Sequence, residues 1–332
     1  MNVNIKDIIE RPYIILDWNV VKYLKNPREK KKQLDLDCIE IVNSIRKKYE
    51  FPYCEAHLRD LARSYSESNL ERVNDDLRFL QQVSHDVVIG ISDEKFFLTK
   101  KPPFELFNDI VNENKETKEL NVSNIPLETH RVDMVKLEDT HPMREMLEAT
   151  MGFCGPGILS KWISDLYSKI FDGISDYKTI RDYCINMKRD VEQNTQNLTY
   201  AELKYKDFLV EHMMPFFESL GIDDKNELGK IWKANIEQWL SMNHKGELPE
   251  ELLVTSAYEM LDFHPLFKEK LKKSKNTLSN IVRDSKIVYY ATGSKYFVTE
   301  DTNCAEKSDF VLKALGYKID VISMEKFREI FS

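Results

Sequence analysis

The residues of this chain that could do chemistry sit near its two ends. Asp17-Trp18-Asn19 follows the apolar run Pro12-Tyr-Ile-Ile-Leu16, and Glu300 and Asp301 follow Tyr296-Phe-Val-Thr299, with Asp284 a little earlier. Both apolar runs lack polar alternation, the pattern of strands buried on both faces in a parallel sheet. Ligands of an open α/β sheet sit beyond the carboxyl ends of its strands. Two such strands side by side bring Asp17 and Asp301 to one edge. Adjacent carboxylates in a dry site repel, so a cation lies between them or one takes up a proton. Hard oxygen donors of this kind suit Mg²⁺ or Mn²⁺. A single Asp after a strand is an ordinary turn former or helix N-cap. The same ending on two strands is what points to a site.

The positioning elements follow from the pattern. Asp284 falls on a short helix that runs into a turn at Gly293-Ser294 and the strand Tyr296–Thr299. Residues 19–48 hold two helical stretches separated by Asn26-Pro27-Arg-Glu-Lys-Lys-Lys32, the second with Cys38, Ile41, Val42 and Ile45 at helical spacing. A second strand is expected at Phe51–Cys54 and a helix from Glu55 to about Ser64. Glu55 is then a helix-start acid favoured by the dipole, or a ligand, and the two readings do not exclude each other. His57 and Asp60 lie well round that helix and are left outside the site. A helix over 70–84 and a third strand at Val87–Ile91 follow. Beyond Asp301 come a helix to Leu315 ending at Gly316, a strand at 318–323 and a last helix at 324–331.

Asp17-Trp-Asn19 after the first strand resembles the opening motif of PIN-domain nucleases. Asp284, Ala291 and Phe297-Val-Thr299-Glu-Asp301 resemble their C-terminal motif, and the middle acid of such folds would be Glu55 in Phe51-Pro-Tyr-Cys-Glu-Ala-His-Leu-Arg-Asp60. The resemblance covers roughly residues 1–85 and 275–332. It departs at Trp18, where a small residue is more usual and an indole would narrow the site. It implies an α/β, PIN-like three-layer fold with a central mostly parallel sheet. Residues 1–92 and 275–332 would form a discontinuous nuclease domain, and 93–274 a large, mainly helical insertion. It also implies a pocket of Asp17, Glu55, Asp284 and Asp301 holding one or two Mg²⁺ or Mn²⁺. Asn19, Thr299, Glu300 and Asn303 would support that pocket. The expected reaction is phosphodiester hydrolysis leaving a 5′-phosphate and a 3′-hydroxyl, with nucleic acid, RNA before DNA, as substrate. The expected role is a bacterial toxin or defence effector, with an antitoxin or other protein as partner. The alternative is a catalytically inactive PIN-like module that binds a partner through its helical insertion. A different metal phosphoesterase on a related fold is disfavoured by the missing His-rich ligand set.

Within the insertion, Phe104–Val111 reads as helix and 112–142 as a long polar loop or edge hairpin. Helical patterns follow at about 158–171, 175–195, 199–219, 225–243 and 248–262. Stripes such as Ile231, Trp232, Ile236, Trp239 and Leu240 read as packing surfaces. Gly155-Pro-Gly157 matches no phosphate-binding loop. Asp262 and His264, before Pro265, read as cap or turn residues and are left out of the site.

The composition sets the remaining bounds. The chain has 332 residues, 42% hydrophobic and 31% charged, with five scattered cysteines in no zinc-binding spacing. Reduced thiols in a cytoplasmic protein are expected, and no apolar run reaches membrane-spanning length. A net charge of −8 argues against broad polyanion binding. Lys22, Lys25, Arg28, Lys30, Lys31 and Lys32 nevertheless adjoin Asp17, and the lysine run 268–275 adjoins Asp284. A local basic rim around an acidic centre is the expectation.

Overall fold

The computed structural model describes residues 8–92, 95–119, 214–241, 244, 246–267 and 278–332. The helices read at 158–171 and 175–195, most of that at 199–219, the Gly155-Pro-Gly157 turn and the 268–275 lysine run lie outside the described residues. The chain divides into two compact units. One comprises Met1–Glu119, Leu248–Leu261 and Glu269–Ser332, the other Leu120–Glu247 and Asp262–Lys268.

The first unit is built on a mixed α/β core. Strands β1 (Ile14–Leu16), β4 (Tyr296–Val298) and β5 (Asp320–Ile322) form a parallel sheet in the order β1-β4-β5. Leu16 pairs with Val298, and Val298 with Ile322. On the other flank of β1 the parallel pairing continues through single bridges, Tyr13 with Glu50 and Tyr53 with Val88. Ile14 N–H donates to the Glu50 carbonyl at 2.9 Å, and Ile89 N–H to that of Tyr53 at 3.0 Å. Pro52 has no N–H to give, which keeps this expected second strand to isolated bridges. The spatial order is therefore β2 (Val87–Ser92), the 50–53 segment, β1, β4, β5. The chain works outward from β1 on one side and then crosses to the other. The reversal falls between β1 and β4, and such a reversal is where open α/β sheets bind ligands.

β2 also pairs antiparallel with β3 (Lys95–Lys100), a strand the sequence did not suggest. The Phe97 ring lies across Gly90 and leaves no room for a Cβ. Around the sheet lie α1 (Trp18–Lys25), α2 (Lys32–Ser44), α3 (Glu55–Ser64), α4 (Leu70–Ser84) and α5 (Pro103–Glu119). Val20, Leu24, Val42, Leu58, Leu77 and Leu80 pack beside Ile14 and Val298 in the core. The polar stretch from Asn112, expected as loop, stays helical to Glu119; it lacks apolar period but is rich in helix-favouring Glu and Lys.

In the second unit, α6 (Met214–Ser219) and α7 (Lys225–Leu240) are described, α7 capped by Asp224 accepting from Glu227 N–H at 2.8 Å. Trp232 and Ile236 of α7 are fully buried. His264 is buried edge-on to Trp232 and donates from Nε2 to the Ser219 carbonyl at 2.9 Å. The first unit closes with α8 (Glu250–Glu259), α9 (Leu278–Ala291), α10 (Thr302–Ala314) and α11 (Met324–Phe331). Gly316 ends α10 with φ of +90°, which only glycine adopts freely. Among the described residues no helix is long and apolar enough to cross a membrane.

Candidate active site at the β1–β4 crossing point

Asp17 leaves β1 with its backbone held on both sides. Its N–H donates to the Val298 carbonyl of β4 at 2.9 Å, and its carbonyl accepts from Val21 N–H at 3.0 Å to start α1. The preceding Leu16 carbonyl accepts from His57 Nε2 at 2.8 Å, while His57 Nδ1 accepts the Cys54 N–H at 3.0 Å. A carbonyl only accepts, so the buried imidazole carries its proton on Nε2. His57 thus clips α3 to the end of β1.

The Asp17 carboxyl is 8% exposed and its Oδ2 accepts from Thr299 Oγ1 at 2.8 Å. The same Thr299 oxygen accepts the Asp301 N–H at 3.2 Å. One hydroxyl therefore ties the Asp17 carboxylate to the backbone of Asp301. Asp301 is exposed and caps α10, its Oδ1 accepting from the N–H groups of Asn303 and Cys304 at 2.9 and 3.0 Å. The helix N-terminus favours the negative charge there.

Burial pushes the Asp17 carboxyl up to about 6; Thr299 and the Trp18 N–H pull it back, and the charges of Asp301 and Asp60 add to the rise. Asp284 lies on α9, and its charge reaches Cys304. That thiol is raised by burial first, then by the charges of Asp17 and Asp284. The charge of Asp301 thus acts on Asp17, and those of Asp17 and Asp284 on Cys304. Glu55, the other acid expected from sequence, pairs with Arg59 of its own helix at 2.5 Å and is 41% exposed. The α3 carboxylate whose charge acts on Asp17 is Asp60, which sequence reasoning set aside. It lies five residues beyond Glu55, roughly 140° round the helix. Arg283 of α9 meets Asp60 at 2.5 Å, so the face α3 turns to α9 carries this acid.

The expected supporting residues divide. Just past β4, Thr299 turns to Asp17 and Glu300 to a different set of partners. Glu300 accepts from Arg28 at 2.7 Å, from Lys31 at 3.1 Å and from Met324 N–H at 3.0 Å. Asn303 gives its backbone N–H to Asp301, and Asn19 is half-buried on the first turn of α1. Trp18 is buried, edge-on to His57, with Lys22 over its ring at 5.4 Å.

Three of the six cations of the expected N-terminal basic rim are engaged with the protein's own acids. Arg28 grips Asp35 and Glu300, Lys31 meets Glu300 and Glu325, and Lys25 meets Asp75 and Asp76.

No protein-family model matches the chain, and no curated protein or solved structure matches it either. The case for function rests on the site itself. Asp17, Asp60, Asp284 and Asp301 offer hard oxygen donors, the chemistry Mg²⁺ and Mn²⁺ prefer. Asp17 is a buried carboxyl with a hydroxyl partner and like charges nearby, a setting in which a cation relieves repulsion. Among the described residues, no three His, Cys, Asp or Glu side chains stand together in a group that could hold a metal ion. The donor chemistry fits a divalent ion, while the side-chain placement, with Asp60 drawn to Arg283, is not closed around one.

Proposed function

We propose that the chain is a metal-dependent nuclease, with RNA as its first substrate, hydrolysing phosphodiesters beyond the carboxyl ends of β1 and β4. The observation that carries this reading is that two adjacent parallel strands end together with an acid beyond each, the Thr299 hydroxyl donating to the buried Asp17 carboxylate and accepting the backbone N–H of Asp301. The motif resemblance to PIN-domain nucleases supports the same assignment. A Mg²⁺ or Mn²⁺ held by Asp17 and its acidic neighbours would supply a water of lowered pKa and would neutralise charge on the phosphoryl group.

The chain's own residues prepare that chemistry. Burial raises the free energy of ionised Asp17 and so favours its meeting a cation. Thr299 holds Asp17 Oδ2 by a hydrogen bond of 2.8 Å. Asp301 is exposed at a helix start, where a ligand has access. Asp284 and Asp60 bring further negative charge from α9 and α3. No protein nucleophile is required.

The test is incubation of the full chain with labelled RNA and single-stranded DNA in Mn²⁺ or Mg²⁺, with EDTA as control. Metal-dependent cleavage that is lost in Asp17→Asn supports the reading. A folded wild type that cuts neither polymer overturns it. A second reading, an inactive module that binds nucleic acid or protein, is favoured by the ion pairs Glu55–Arg59 and Asp60–Arg283, which occupy two nearby acids. Under it, divalent ions leave the melting temperature unchanged.

A further inference from the structure

Trp18 stands directly after Asp17, at the start of α1. Its side chain is 5% exposed and packs edge-on to His57 of α3, with ring centroids 6.4 Å apart. His57 in turn holds the Leu16 carbonyl at the end of β1. The indole is thereby fixed beside the strand end. Over its ring lies Lys22, the ammonium 5.4 Å from the centroid. The two residues are four apart on α1 and so share one side of the helix. An indole face attracts an ammonium, and the contact leaves the charge unneutralised. The other cations of residues 22–32 divide. Lys25, Arg28 and Lys31 meet acids of the protein. Lys22, Lys30 and Lys32 are exposed and pair with no acid among the described residues. Lys30 and Lys32 flank Lys31, which turns to Glu300. Lys22 is the one tied, through the indole, to the residues that hold the end of β1.

We infer that Lys22 is a phosphate contact for single-stranded nucleic acid and that Trp18 is the residue that positions it. The inference starts from the nuclease reading and adds to it the side chain that receives a backbone phosphate beside the strand ends. Arg28 or Lys31 would have to leave Glu300 before taking a phosphate. Lys22 breaks no ion pair, because an aromatic face and not a carboxylate holds it. The long stem of a free lysine loses much rotamer freedom on binding; the ring contact restricts it in advance. An ammonium is a point charge that meets a phosphate oxygen without reading a base, so the contact is independent of sequence. In a chain of net charge −8 the attraction of a polyanion depends on such individually placed cations.

The test binds labelled single-stranded RNA and DNA of mixed sequence to the full chain in EDTA over a series of salt concentrations. No divalent ion is needed and no cleavage intervenes. Wild type is compared with Lys22→Gln and Lys32→Gln. Lys22→Gln should bind several-fold more weakly, equally for all sequences, and flatten the salt dependence by about 0.7 log units per log salt, the value for one single-strand phosphate contact. Lys32→Gln should match wild type on both counts. In wild type, the ring current of Trp18 should shift the ε-methylene resonance of Lys22 upfield of that of Lys32, and a short oligonucleotide should move it. A Lys22 resonance that coincides with that of Lys32 overturns the role given to Trp18. Unchanged affinity and slope in Lys22→Gln, equal losses in the two variants, or a wild type that binds neither polymer overturns the phosphate contact. A wild type that shows the expected loss at Lys22 yet cuts neither polymer in Mn²⁺ or Mg²⁺ overturns the nuclease reading and leaves the phosphate contact standing.

Discussion

Glu300 and Asp301 are consecutive residues at the end of one strand, and they enter opposite electrostatic settings. Glu300 faces Arg28, Lys31 and the Met324 N–H; burial pushes its carboxyl up, but these partners outweigh burial and hold it below the usual range. Arg28 also grips Asp35, which is fully buried, through bonds of 2.5 and 3.0 Å. Next to it, the Thr299 hydroxyl ties the backbone of Asp301 to the carboxyl of Asp17, which is pushed up to about 6. On one side acids are matched by cations and tie α2, β4 and α11 together. On the other, Asp17 lies buried with the Thr299 hydroxyl and the Trp18 N–H as the partners that favour its charge. The first arrangement serves stability and the second makes ionised Asp17 costly. Sites that work on ligands are commonly of the second kind.

The largest expected effect lies on the matched side. Arg28→Met leaves Asp35 and Glu300 buried without their guanidinium, and breaking a buried pair this way costs about 3–5 kcal/mol. Urea unfolding at pH 7 measures it; a loss below about 1 kcal/mol would remove the distinction between the two sides. Metal affinity of the folded variant should stay near that of wild type.

Next in size is a gain on the unmatched side. Between the ordinary carboxylate range and about 6, folded Asp17 keeps a proton that the unfolded chain has lost. Wild-type stability therefore falls as pH rises through that window, from about 4 to about 6, by about 3 kcal/mol in all. Asp17→Asn lacks this titration. The variant should match wild type below about pH 4 and be more stable by up to about 3 kcal/mol at pH 7, in the absence of divalent ions. Unfolding curves at pH 4 and 7 check both sign and window. Millimolar Mn²⁺ should raise the wild-type melting temperature and leave that of Asp17→Asn nearly unchanged, because a ligand that binds only the native state stabilises it.

A smaller effect concerns the bridge. Thr299→Val removes the hydroxyl held between the Asp17 carboxyl and the Asp301 N–H and costs about 1 kcal/mol. It should also raise the Asp17 titration further, since the bond from Thr299 lowers it. Carboxyl carbon resonances followed against pH would show this; an unmoved Asp17 midpoint would mean the hydroxyl has no hold on the acid.

Much of this arrangement is legible in the sequence, for physical reasons that also mark where legibility ends. Ile14–Leu16 and Tyr296–Val298 are continuous apolar runs because each strand has neighbours on both sides and covers on both faces, so their pairing and common ending can be read directly. The 50–53 segment carries a proline and is held by bridges alone, and Lys95–Lys100 has charged ends that hide its strand character. Glu55 was readable because an acid at a helix start has a recognisable rationale, and its charge acts on Lys286 and Tyr290 of α9, while that of Asp60 acts on Asp17. Which side of α3 meets the strand end is decided by packing against α9 and the Arg283 contact, more than two hundred residues away in the chain. Likewise, the lysines after Asp17 are adjacent to it in sequence, yet Arg28 and Lys31 turn to Glu300 just past β4.

The most direct measurement compares two neighbours. Asp301→Asn and Glu300→Gln are assayed side by side for cleavage of labelled RNA in Mn²⁺, with the folded fraction of each determined under the same conditions. Asp301→Asn should be well folded and fail to cut. Glu300→Gln should lose stability and cut, per folded molecule, at close to the wild-type rate. Wild-type cleavage by Asp301→Asn would contradict the assignment of the catalytic centre to the region beyond the carboxyl ends of β1 and β4.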